Sequence, residues 1–123
     1  MPTNDVFELR RQVEQFLSEF NRIFTFQPCT FKNHPKNVET MIKFGFTYAQ
    51  RDQVLRELVP GNYYSGPKND ELHGGVYWEF GVEIDSLMIY IKIKIQTKKD
   101  GSDQLYCYSF HESEFPMKDF PLM

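Results

Sequence analysis

The sequence predicts an α+β domain, with N-terminal helices packed on a mostly antiparallel β-sheet. Three observations predict it. Apolar residues follow helical spacing up to about residue 60. From about 76 to 111 they alternate with polar ones, the period of a half-buried strand. Asp100-Gly101, a strong two-residue hairpin signal, separates two of the alternating runs. A chain of 123 residues has the size of one domain and can bury a core without disulfides or a metal. We therefore expect a single domain over 1–123: a helical part about 4–60, a β-meander about 76–111 and an extended tail 112–123. Twelve Phe predict a dense aromatic core.

The elements follow in order. Asp5 with Glu8 resembles a capping box, and Val6, Leu9, Val13, Phe16, Leu17 and Phe20 share a helical face. RIFTFQP, 22–28, alternates briefly and reads as a short edge strand ended by Pro28. FKNHPKN, 31–37, reads as a loop. Asn37 is the expected cap of a second helix, with Val38, Met41 and Ile42 on one face and Gly45 as its stop. Thr47, with Gln50 three residues on, caps a third helix with Val54, Leu55 and Leu58 inward; Pro60-Gly61 ends it. Asn62–Gly75 reads as a long loop. In 76–85 the even positions Val76, Trp78, Phe80, Val82 and Ile84 are all apolar. MIYIKIKIQ, 88–96, sets four Ile against Tyr90, Lys92 and Lys94. QLYCYSFH, 104–111, is the third strand, and two prolines argue against a helical tail.

Composition excludes several classes. The net charge of −3 speaks against a generic nucleic-acid binder, which would be basic, but is compatible with a local basic patch. The polar, partly acidic N-terminus is not a signal peptide, and no apolar run approaches a membrane span. Cys29 and Cys107 lie far apart with no CxxC, as expected of reduced thiols in a cytoplasmic protein. His34 and His73 are isolated in loops, with no HxH or HExxH, so neither a metal nor another cofactor is expected.

Register turns the alternation into a site. With Asp100-Gly101 as a two-residue loop, Tyr90 falls opposite His111, Lys92 opposite Ser109, and Lys94 opposite Cys107. With Asp85-Ser86 as the other turn, Glu79 falls opposite Lys92 and Tyr77 opposite Lys94. Directly opposite residues share a face. One face then carries Trp78, Phe80, the four Ile, Tyr106, Tyr108 and Phe110 under the helices. The other gathers Tyr77, Glu79, Tyr90, Lys92, Lys94, Ser109 and His111. A solvated sheet surface with cross-strand ion pairs accounts for the same alternation. The inventory of Tyr, Lys, Glu and His, with two lysines in one strand of an acidic protein, suits an anionic ligand such as phosphate.

FGFTYAQRDQVLRELVPGNYYSG, VYWEF, IYIKIKI and YCYSFH, in that order and spacing, resemble the MqsR family of toxin–antitoxin toxins. The resemblance covers roughly residues 40–111. It implies the RelE-like toxin fold, with the RNA site on the open sheet face. It implies a cytoplasmic, metal-independent endoribonuclease, an mRNA interferase. The implied partners are mRNA, free or on the ribosome, and a cognate antitoxin, a small helix-turn-helix DNA-binding protein. Tyr90 and Lys92 match family positions. His111 stands where the family has lysine, Glu79 where it has glutamine, and Ser65 where it has lysine.

Cleavage of RNA without a metal needs a base for the 2′-OH, a hold on the phosphate, charge neutralisation and an acid for the leaving oxygen. The candidate catalytic residues are Tyr90, His111, Lys92 and Glu79. His111 is the general acid or base, Lys92 clamps the phosphate, Tyr90 orients the phosphate or helps proton transfer, and Glu79 is a base or merely pairs with Lys92. Lys94, Ser65, Ser109 and Tyr77 are the candidate RNA-phosphate contacts. A non-enzymatic protein-binding module on the same scaffold is the alternative.

Overall fold

A computed structural model describes residues 5–123; residues 1–4, including the first residue of the expected helical part, lie outside it. Its elements are α1 (Val6–Phe26), β1 (Cys29–Phe31), α2 (Pro35–Phe44), α3 (Tyr48–Arg56), a 3-10 turn (Pro60–Asn62), β2 (Tyr63–Asn69), β3 (Val76–Ile84), β4 (Leu87–Thr97) and β5 (Asp103–Glu112). The five strands form one sheet in the order β1-β5-β4-β3-β2. Only β1, which runs parallel to β5, departs from the antiparallel pattern. The architecture is α+β, as the sequence predicts.

α1 lays Val13, Phe16, Leu17, Phe20, Ile23 and Phe24 on the sheet. Phe16 stacks on Trp78 at 4.9 Å between ring centroids. Burying an aromatic or aliphatic side chain of this size is worth about 1.5–3 kcal/mol. The expected edge strand at 22–28 is instead the last turns of α1. Ile23 and Phe24 continue the face of Phe16 and Phe20, and that longer period outweighs four alternating residues. Pro28 forces Gln27 into extended backbone (φ −152°), which ends the helix. At the other end Asp5 accepts from the Phe7 and Glu8 amides, but the Glu8 carboxylate turns to Arg11, so only half of the expected capping box forms.

α2 corrects the sequence reading twice. Its cap is His34, not Asn37: the His34 Nδ1 accepts from the Lys36 amide at 3.2 Å, and Pro35 occupies the first turn. Its most buried positions are Asn37 and Thr40, with Met41 packed beside them against the core as expected, while Val38 and Ile42 stay out; Ile42 is 75% exposed. The reason lies in the sheet. β1 pairs with only three residues of β5, so the outer edge of β5 beyond Cys107 has no strand partner. The Asn37 amide fills that place, donating to the Tyr108 carbonyl at 3.1 Å and accepting from the Phe110 N–H at 2.9 Å. Thr40 Oγ1 accepts from the Glu112 N–H at 3.0 Å. α3 starts as expected, with the Thr47–Gln50 capping box formed and Leu55 buried, but it ends at Arg56, short of the expected stop at Pro60-Gly61, and Leu58 is buried just beyond it.

The expected long loop at 62–75 contains β2. Two register shifts against β3, between Tyr63 and Ser65 and between Ser65 and Lys68, hide its alternation. The Asp85-Ser86 turn holds as predicted. Both residues have positive φ (52° and 68°), the two-residue geometry that follows strand twist, and Glu79 sits opposite Lys92.

The β4–β5 hairpin departs by one residue and then recovers. The Lys98 amide donates to the Ser102 carbonyl at 2.7 Å, so the loop is Lys99-Asp100-Gly101, with Gly101 in the left-handed region. Lys94 therefore faces Tyr106, not Cys107. A bulge at Tyr108 inserts one extra residue, after which Lys92 faces Ser109 and Tyr90 faces His111, as the sequence predicts. Between loop and bulge the faces are exchanged. Leu105 and Cys107 are fully buried in the core, and Tyr106 and Tyr108 turn to the open face, against expectation.

The tail has no helix; it bends, turns near its end with Asp119 at φ 58°, and folds over one end of that open face. Phe115 packs on Tyr64 and Tyr90, and Phe120 on Tyr64. Met117 and Phe120 lie on Gly81, where a Cβ would come within 3.0 and 2.8 Å of their side chains. Leu122 then joins the core, and its carbonyl accepts from Arg10 of α1.

Candidate functional site

The open face divides into three zones along β3, β4 and β5. Alternation sends Tyr77, Glu79, Tyr90, Lys92, Lys94, Ser109 and His111 to it; the bulge adds Tyr108, and the shifted register adds Tyr106.

The zone under the tail holds Glu79, Tyr90, Ser65 and His111. Glu79 is nearly buried, and its carboxylate is fully engaged. It accepts from Ser65 Oγ at 2.5 Å, from Lys68 Nζ at 2.8 Å and, by a short bond, from Tyr90 Oη. Burial pushes the Glu79 carboxyl up, but the bonds from Lys68, Ser65 and Tyr90 outweigh it and hold it below the usual range. The same bond works the other way on Tyr90. Burial and the adjacent carboxylate raise its phenol well above the ordinary value, so Tyr90 keeps its proton. Glu79 thus organises its neighbours and is a poor base. The Tyr90 and His111 rings approach to 5.5 Å between centroids. His111 Nδ1 lies 2.9 Å from the Glu112 carbonyl. A carbonyl only accepts, so Nδ1 carries the proton and, in the neutral ring, Nε2 is the basic nitrogen.

The opposite zone holds Lys94, and its expected role changes. The side chain is completely buried, with Nζ 2.9 Å from Asp70 Oδ2 and 2.5 Å from the Gly74 carbonyl. The chain between β2 and β3 covers it. Burial works against ionising Asp70, but bonds from Lys94, the His73 amide and Tyr108 outweigh it and hold the carboxyl far below its usual range. Lys94 is therefore a structural ion-pair residue and offers no charge to a ligand.

Lys92 lies between these zones. It makes no hydrogen bond or ion pair with any described residue. Its ammonium sits 4.0 Å from the Tyr77 ring centroid and 5.8 Å from that of Tyr108, a cation–π setting. Ser109 is opposite. Among the described residues no carboxylate lies within 4 Å of the Lys92 ammonium, and Glu79, opposite it in register, is engaged by Lys68.

The structure therefore brings together Tyr90, His111, Lys92, Ser109, Tyr77, Glu79 and Ser65, and removes Lys94. Sequence reasoning missed Lys68, Tyr106 and Tyr108. Lys68 is displaced by the β2 irregularities, and the two tyrosines by the bulge; neither leaves a periodic signal. Both cysteines are free and buried; burial pushes the Cys29 thiol up to about 12 and that of Cys107 well up, so neither is a nucleophile. Among the described residues no group of three or more His, Cys, Asp or Glu is placed to hold a metal ion, and no helix is long and apolar enough to cross a membrane. No family model matches this chain, and neither does any curated protein or solved structure compared with it.

Proposed function

We propose that the protein is an endoribonuclease of single-stranded mRNA, working without a metal, and the toxin of a toxin–antitoxin pair. The observation that carries the reading is Lys92, an uncommitted ammonium between two aromatic rings on an open face, beside the Tyr90–His111 pair. In this reading Lys92 and the Ser109 hydroxyl hold the scissile phosphate. His111 Nε2 takes the proton of the 2′-OH, whose oxygen attacks phosphorus. The bond to the 5′-oxygen breaks, and that oxygen takes its proton from solvent, since Tyr90 holds its own. The products are a 2′,3′-cyclic phosphate and a 5′-hydroxyl. The resemblance to MqsR-like toxins agrees with Tyr90 and Lys92 and supplies the expected partner, an antitoxin with a helix-turn-helix.

The test is cleavage of a defined single-stranded RNA by the purified protein, with growth measured on induction in cells. Lys92→Ala should lower the cleavage rate by about 100-fold or more, the usual loss for one charge-stabilising group. His111→Ala should do the same. Uncut RNA with the wild-type protein, or full activity in both variants, overturns the reading.

One observation favours the second reading, a protein-binding module. Val38, Ile42 and Tyr48 stay exposed around a cavity of about 410 Å³ that also reaches Phe31, Met41 and Arg51. Exposed apolar side chains around a pocket are a usual mark of a docking surface.

A further inference from the structure

The bulge in β5 does more than correct a register. It turns Tyr108 out beside Tyr106, two rings with 6.0 Å between centroids and planes 21° apart. His73 extends the row, 5.8 Å from Tyr108 and tilted by 32°. Lys32, from beyond β1, places its ammonium 5.7 Å from the Tyr106 centroid and 5.6 Å from that of Tyr108. These four residues and Gln96 line a cleft of about 320 Å³. The Tyr108 hydroxyl donates to Asp70 at 3.0 Å at the end of the ring away from the backbone, leaving the ring itself to line the cleft. The Lys92 ammonium stands 5.8 Å from the same ring, so the cleft and the candidate phosphate position share a wall.

We propose that Tyr106 and Tyr108, with Lys32, form a stacking subsite for one unpaired nucleobase of a single-stranded nucleic acid whose adjacent phosphate lies at Lys92. The inference rests on reading Lys92 as a phosphate site. Aromatic rings beside a lysine are the means by which proteins hold single strands, since every base has a π-face. A duplex keeps those faces stacked on each other and would not enter. A solvated sheet face needs no ordered row of rings, and the two tyrosines lie where plain alternation would have sent Leu105 and Cys107.

The experiment uses the full chain and short 2′-O-methyl oligonucleotides, which cannot be cleaved. One form carries 2-aminopurine at a single position, and one is abasic there. Wild-type protein should quench the 2-aminopurine and bind the normal strand on the order of ten-fold tighter than the abasic one. Tyr106→Leu should remove that preference. Tyr108→Phe, which keeps the ring and loses the Asp70 bond, should retain it. Circular dichroism of each variant establishes that it is folded. Equal affinity for normal and abasic strands in the wild type, or an unchanged preference in Tyr106→Leu, overturns the subsite. Lys92→Ala separates the two claims. It should weaken normal and abasic strands alike; unchanged affinity for both, with the base preference intact, overturns the phosphate reading and leaves the stacking subsite standing.

Discussion

Lys92 and Lys94 are two residues apart on one strand, point to one face, and end in opposite states. Lys94 is sealed beneath the β2–β3 connection and neutralised by Asp70. Lys92 has no polar partner among the described residues and stands among aromatic rings. What separates them is cover supplied from outside the meander: the β2–β3 connection over one end of the face, and the tail over Tyr90 and Gly81 at the other. The gap between the two covers is the candidate site. Strand parity decides which face a side chain occupies; distant segments decide whether it is free to react.

The comparison can be broken most forcefully at Asp70. Asp70→Ala leaves the Lys94 ammonium buried without its counter-ion, and we expect a loss of about 3–5 kcal/mol in denaturant unfolding. The double change Asp70→Leu, Lys94→Met should recover much of it, because an apolar pair needs no solvation. Stability little changed in Asp70→Ala would mean that Lys94 is not sealed.

The other cover is broken at Gly81. Gly81→Ala drives a methyl into Phe120 and Met117, and should cost about 1–3 kcal/mol while making the tail more sensitive to proteolysis. A tail that stays resistant would show that its seat lies elsewhere.

The two covers should also differ with pH. The Asp70 carboxyl lies lower in the folded chain than in the unfolded one. Its contribution to stability is therefore complete above the usual carboxylate range and lost as pH falls below about 4 toward the folded value. Unfolding free energies at pH 6 and pH 3 should differ by less in Asp70→Asn than in the wild type. The smallest effect is expected at Lys43, whose exposed ion pair with Glu112 spans 2.6 Å. Lys43→Ala should change stability by less than about 1 kcal/mol.

Much of this arrangement was legible in the sequence. The Asp85-Ser86 turn and the unbroken alternation of β3 and β4 set Glu79 against Lys92 correctly, because a one-residue slip would expose the isoleucines. Tyr90 came out opposite His111 for a weaker reason: a loop one residue longer than expected is offset by the one-residue bulge at Tyr108. QLYCYSFH carries large apolar or aromatic side chains on both parities, so it fits either register, and the exchange of Tyr106 with Leu105 left no trace. Lys94 is a different failure. Its burial depends on Asp70, 24 residues earlier in a segment without periodicity, and no local pattern carries that contact. On α2 the usual polarity is partly inverted, since Asn37 and Thr40 are needed at the sheet beside Met41 and Phe44, and Ile42 is not.

That inverted helix bears on how the molecule can associate. A sheet ordinarily invites growth at its margins, where unpaired amides and carbonyls attract a further strand. Here Asn37 and Thr40 already occupy the margin of β5 beyond the short β1. At the far margin, β2 carries Pro67, which has no amide hydrogen, beside the charged Lys68. Strand addition is discouraged at both margins, which leaves the faces of the sheet and the helices, rather than its edges, as the surfaces on which another molecule can dock.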